Sequence, residues 1–199
     1  MNLERKKFLK MASKPIGAAA AASSFAAFVA ACGSSSSSPS ASHSAGDLKI
    51  VNYALTLEYL ESQFYAKVLK RHLFHGKDLS VIKRFGAEEH QHVAALHKLA
   101  SGLGKPAAKP KGKFPVKNAA QVTKLAAAVE NLGAAAYLGQ AGHIHSKAIL
   151  AAALAIHSIE ARHAATLNLL LKKSPTPNGA FAKPASMHEV LKTVKPFIA

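Results

Sequence analysis

The sequence predicts an all-α fold: a four-helix bundle with a long crossover between its second and third helices and an irregular C-terminal tail. Three observations carry that expectation. Ala and Leu dominate a chain of 199 residues that has no Trp, and both are strong helix formers. Apolar residues recur at helical spacing in four stretches, at about 47–74, 79–101, 118–142 and 146–173. Beyond residue 40 the prolines fall only between the second and third stretches and after the fourth, where helices have to break.

Residues 1–31 read as an export signal. Arg5, Lys6, Lys7, Lys10 and Lys14 make a basic start, followed by an Ala-rich apolar run to Ala31. Gly17, Ser23 and Ser24 interrupt the run, which is short against the roughly 20 apolar residues of a membrane span, so cleavage is expected. The segment from Val29 to Gly33 resembles the lipobox of bacterial lipoproteins, and the resemblance implies lipidation of Cys32, the only cysteine. The segment from Arg5 to Lys10 resembles a twin-arginine export motif with Lys in place of the second Arg. The expected location is thus the bacterial cell envelope, extracytoplasmic and held to a membrane through lipidated Cys32. Residues 32–46 are rich in Ser and read as a flexible tether, with the folded domain at 47–199.

The first helix, from Asp47, presents Ala54, Glu58, Glu61, Tyr65 and Val68 on one face. Gly76 is expected to end it, and Asp78 to cap the second helix, which turns Val81, Phe85, Glu89, His92, Leu96 and Leu99 to the core. So short a connection makes the two antiparallel neighbours. Residues 102–117 hold three prolines, and an extended segment of that length reaches about 45–50 Å, enough to run along a neighbouring helix. Asn118 and Ser146 are expected caps for the third and fourth helices. A short helix is expected around 188–194 within the tail, which packs on the bundle.

Chemistry enters with the spacing of acids and histidines. Glu89 and His92 form a Glu-x-x-His set, Glu160 and His163 form another, and Glu58 and Glu130 precede them by 31 and 30 residues. Residues three apart on a helix share a face. Two helices giving a Glu and two giving Glu-x-x-His are how bundle cores build di-iron and di-manganese carboxylate sites. The two halves also repeat one another: Glu58, Leu60 and Tyr65 match Glu130, Leu132 and Tyr137, and Glu89, His92 and Leu96 match Glu160, His163 and Leu167. In that alignment Glu61 falls opposite Gly133, which favours Glu58 as the ligand and leaves Glu61 as the alternative one turn along. Glu88 and His90 are expected to face solvent, and His143, His145, His157 and His188 to be surface or packing residues.

These segments resemble the ferritin-like superfamily. The run from Asn52 to Glu61, with Phe64 and Tyr65 and the terminal Val194 to Ile198, is similar to exported ferritin-like proteins related to plant desiccation-associated proteins. The resemblance implies Glu58, Glu89, His92, Glu130, Glu160 and His163 as ligands of two metal ions, Glu89 and Glu160 as bridges, and Tyr65 and Tyr137 as groups bonded to ligands. Two divalent ions balance four carboxylates, and oxygen-rich donors with one imidazole per ion suit Fe or Mn. Such a pair of ions oxidises Fe(II) or consumes O2 or peroxide, in keeping with a stress-protective role.

Lys and Arg outnumber Asp and Glu by 26 to 10. The excess points to anionic partners such as envelope polymers or lipid headgroups, and a metal-free bundle binding them is the alternative function. An exported protein does not meet chromosomal DNA, so nucleic acid is not expected. A lipid anchor and a Pro-rich tail disfavour a closed cage and leave room for a dimer. No Gly-rich phosphate loop, Cys metal cluster or nucleophile elbow occurs in the chain.

Overall fold

A computed structural model describes residues 41–199; the export segment, Cys32 and the tether up to residue 40 lie outside the described residues. Five α-helices follow in order: α1 (Ala41–Lys70), α2 (Gly76–Leu103), α3 (Ala119–Ala141), α4 (Lys147–Leu170) and α5 (Met187–Val194), with a 3-10 turn at Lys195–Phe197. α1 pairs with α2 and α3 with α4. Each pair is a helical hairpin, and residues 104–118 cross from one to the other. No helix among the described residues is long and apolar enough to cross a membrane.

Helix ends depart from expectation where tertiary contacts outweigh local signals. The chain is already helical at Ala41, the first described residue, so residues 41–46 of the expected tether belong to α1. Asp47 is fully buried, and its carboxylate accepts the backbone N–H groups of His145 and Ser146 at 2.9 and 2.8 Å. It therefore closes the turn before α4. α1 ends at Lys70, and Gly76 opens α2; His75 is the N-cap and Asp78 lies in the first turn, where its charge meets the positive end of the helix dipole. Asn118 and Ser146 cap α3 and α4 as expected, accepting from Gln121 N and Ile149 N. The short helix carries a capping box between Ser186 and Glu189.

The predicted face of α1 is the buried one, from Ala54 through Val68. On α2, Ile82 and Ala100 are buried while Val81 and Leu99 are half-buried, a small rotation of the expected stripe. Apolar side chains form two clusters at opposite ends of the bundle. One joins Phe64, Val68, Phe85, Phe114, Val122 and Leu167, and the other Val51, Leu55, Leu96, Tyr137, Ile149 and Ile156. Between them lies a layer of buried acids.

The crossover and the tail are held to the bundle by their backbones. Gln63 takes both an acceptor and a donor from the crossover, at Pro110 O and Gly112 N. Gly112 bridges Ile198 antiparallel, flanked by Lys113 N to Phe197 O at 2.7 Å and Ala199 N to Lys111 O at 2.9 Å. Further back, Ala185 N donates to Ala135 O, and a Cβ added at Gly139 would sit 2.0 Å from Ala185 O. Only glycine lets the tail approach α3 so closely. Gly139→Ala is therefore expected to lift the tail off α3, at a cost of about 1–3 kcal/mol, which for a chain of this size is a melting-point loss of several degrees. Calorimetry with limited proteolysis between 171 and 186 checks this; an unchanged melting point and cleavage pattern would refute it.

Candidate metal centre

Four helices each turn acid inward at the same level. Glu58 comes from α1, Glu89 and His92 from α2, Glu130 from α3, and Glu160 and His163 from α4. All four glutamates are fully buried, and His92 and His163 are 9% and 2% exposed. Their donor atoms gather into two sets, Glu58 with Glu89, His92 and Glu160, and Glu89 with Glu130, Glu160 and His163, each within 4.8 Å. Glu89 and Glu160 belong to both sets. All six residues read from the sequence meet, with the two Glu-x-x-His acids shared between the halves.

His92 Nδ1 lies 3.3, 3.2 and 3.1 Å from oxygens of Glu58, Glu89 and Glu160, and His163 Nδ1 lies 3.0 and 3.2 Å from oxygens of Glu89 and Glu130. One N–H satisfies one acceptor well, so several oxygens are left over. Glu58 Oε2, Glu89 Oε1 and both oxygens of Glu160 are buried with no hydrogen-bond donor. Buried acceptors without donors carry a large desolvation cost. A cation between them would remove it, and carboxylates with one imidazole on each side are groups that could hold a metal ion.

Without a cation, protons take its place. Burial, then the neighbouring charges of Glu89, Glu58 and Glu130, push the Glu160 carboxyl well above its ordinary range. Burial and Glu58 push Glu89 up to about 7. Burial also opposes ionisation of Glu58, but the His92 charge and hydrogen bonds outweigh it and hold that carboxyl low. Burial works against charge on His163, yet its bonds to Glu130 and Glu89 raise it to about 11; His92 is raised as well, chiefly by Glu58.

The tyrosines bond across the halves. Tyr137 of α3 donates to Glu58 Oε1 of α1 at 2.6 Å, and Tyr65 of α1 donates to Glu130 Oε1 of α3. Each phenol fixes the outer oxygen of the opposite hairpin's acid and orients it. Burial, then the charges of those acids, pushes both phenols up, so they remain donors.

Two further acids adjoin the cluster. Glu61, 3% exposed, is outside both sets of donor atoms. A Cβ at Gly133 would lie 3.1 Å from Glu61 Oε1 and 3.3 Å from Glu160 Oε2, so the glycine opposite Glu61 in the repeat is what leaves room for both carboxylates. Glu88, expected to face solvent, is only half-exposed and is engaged: its Oε2 lies 2.8 Å from His163 Nε2. The repeat gave it no support, because its counterpart in α4 is Ile159. Its place directly before Glu89, turned toward α4, was the available signal. His90 is exposed as expected, His145 stacks on His43, and His157 bonds Ala134 O.

A family model described as "Ferritin-like domain" matches residues 46–173. No curated protein matches the chain.

The proton count sets a pH dependence. Between its ordinary 4.5 and about 7 Glu89 is more protonated in the folded chain than in the unfolded one, and between 6.5 and about 11 so is His163. Stability of the metal-free protein therefore falls as pH rises through both windows, while Glu58 acts in the opposite sense only below its ordinary 4.5. Thermal melts of metal-free protein from about pH 5 to about pH 9 are expected to fall steadily. A flat or rising profile would show that the cluster does not hold those protons.

Proposed function

Because the chain belongs to the ferritin-like domain family, we propose that it is an exported protein that binds a dinuclear Fe or Mn centre and uses it to oxidise Fe(II) or consume O2 or peroxide outside the cytoplasm. The observation that carries this reading is the sharing of Glu89 and Glu160 between two four-residue sets, with acceptor oxygens that no protein donor satisfies. A single ion would not need two such sets.

Glu58 and His92 would hold one ion, Glu130 and His163 the other, and Glu89 and Glu160 both. When bound, two adjacent redox ions would supply two-electron chemistry toward O2 or peroxide. The chain's own residues supply the rest. Tyr137 and Tyr65 keep Glu58 and Glu130 oriented from behind. Glu88 holds His163 Nε2, so that Nδ1 faces the cluster, a carboxylate–imidazole pair that raises ligand basicity. The stacked Phe85 ring, its centroid 3.9 Å from that of His163, shields this imidazole on one face. Apolar clusters on either side keep bulk water away and strengthen every charge interaction inside. The basic N-terminal run and Cys32 support placement at the envelope, lipid-anchored.

Metal analysis by mass spectrometry on protein made with Fe and Mn supplied is expected to give close to two ions per chain, and close to none in Glu130→Ala/Glu160→Ala. No metal in either protein would sink the proposal. The Glu160→Ala/His163→Ala protein is expected to lose O2- and peroxide-dependent turnover in an oxygen-electrode assay; unchanged rates would separate the chemistry from this cluster. Glu88→Gln is expected to weaken metal binding by about 10–100-fold in chelator competition while leaving the fold intact, and equal affinity would assign Glu88 a packing role only.

A further inference from the structure

The segregation of charge gives the molecule a second site. All Lys and Arg residues of the described chain are exposed, whereas six of its nine acids, Asp47, Glu58, Glu61, Glu89, Glu130 and Glu160, are buried. Among the described residues no Lys or Arg is ion-paired with an acidic side chain; the ion pairs there are those of His92 and His163 with glutamates. The surface is thus cationic with little compensation, and on the crossover its cations fall in a row.

From residue 109 to 117 exposure alternates with a period of two. Lys109, Lys111, Lys113, Pro115 and Lys117 are exposed, while Pro110 and Gly112 are half-buried and Phe114 and Val116 are buried. The segment is laid on α1 with its inner side chains in the core and its lysines outward, as in a strand. Consecutive lysines at Lys109, Lys111 and Lys113 then stand roughly 6–7 Å apart in a line. The line is fixed in place. Gln63 holds Pro110 O and Gly112 N, Lys67 Nζ holds Phe114 O at 2.9 Å, and residues 111 and 113 pair with 199 and 197. Lys109 rests over the Tyr59 ring, 5.8 Å from its centroid. A row of like charges on a fixed backbone repels itself, and an anion along it relieves that repulsion without the ordering cost of a mobile tail.

We infer that this lysine row is a docking site for a linear phosphodiester polymer of the polyol-phosphate type, laid along residues 109–117. A line fits a chain whose anionic groups recur at a comparable interval; a bilayer surface would be met better by a broad disc of cations with apolar side chains among them. Within the row the only exposed non-lysine is Pro115. The inference is independent of the metal centre.

The test uses the full chain and a fluorescein-labelled synthetic oligomer of propanediol phosphate, followed by anisotropy across a salt series. The row variant carries Lys109→Gln, Lys111→Gln, Lys113→Gln and Lys117→Gln. A control of equal charge carries Lys77→Gln, Lys83→Gln, Arg84→Gln and Lys98→Gln on α2. The row variant is expected to lose at least about tenfold in affinity at about 0.15 M salt, with a log–log salt slope shallower by about 2–3; the control should change severalfold less. Thermal melts verify that both variants fold, and a row that does not fold is replaced by the single and double substitutions. Equal losses in row and control would overturn the inference by reducing the binding to net charge. Row-dependent binding to vesicles containing anionic phospholipid, with none to the oligomer, would overturn it in favour of a membrane surface.

Discussion

Four fully buried glutamates facing one another set the terms for the whole bundle. Burying a carboxylate without donors or a countercharge costs several kcal/mol, and here one oxygen of Glu58, one of Glu89 and both of Glu160 have no hydrogen-bond donor. The fold is stable with such a layer at its centre only if positive charge occupies it, as protons on His92, His163 and the acids or as metal ions. Several neighbours serve that arrangement: two phenols cap the outer oxygens, Glu88 backs one imidazole, and Gly133 leaves the space that two carboxylates occupy.

The architecture follows from having to bring four acids to one level from four different helices. Two hairpins of similar design meet face to face, and each Tyr reaches across to the acid of the other hairpin. These crossed bonds couple the halves in a way that ligands within one hairpin would not. The crossover and the tail then tie the ends together by backbone pairing at residues 111–113 and 197–199, and by the close approach of Ala185 to Gly139. The cluster lies between two apolar ends, so its charge is felt in low dielectric.

Charge separation between inside and outside is the other consequence. Among residues 41–199 the chain buries six of its nine acids and leaves the surface almost wholly to Lys and Arg. This makes the exterior a general anion-attracting surface, and the crossover turns part of it into an ordered row. One composition thus serves two purposes, a neutralised interior site and an uncompensated exterior one.

Much of this was legible in the sequence because helices have a fixed period. The faces of α1 and α2, the caps at Asn118 and Ser146, the long crossover, and the six acids and histidines of the cluster all follow from spacing, and the repeat alone preferred Glu58 to Glu61. What spacing could not reach are contacts between residues far apart in the chain. Asp47 reads only as the start of the first helix, and its bonds to residues 145 and 146 come from packing. Glu88 looked like a solvated neighbour of a ligand until α4 brought His163 to it. The lysines of the crossover were a composition until the segment lay down on α1 and sorted them to one side. Local periodicity determines which side chains share a face of a helix; only the packing of one element on another decides which of them meet, because that depends on distances the sequence order does not encode.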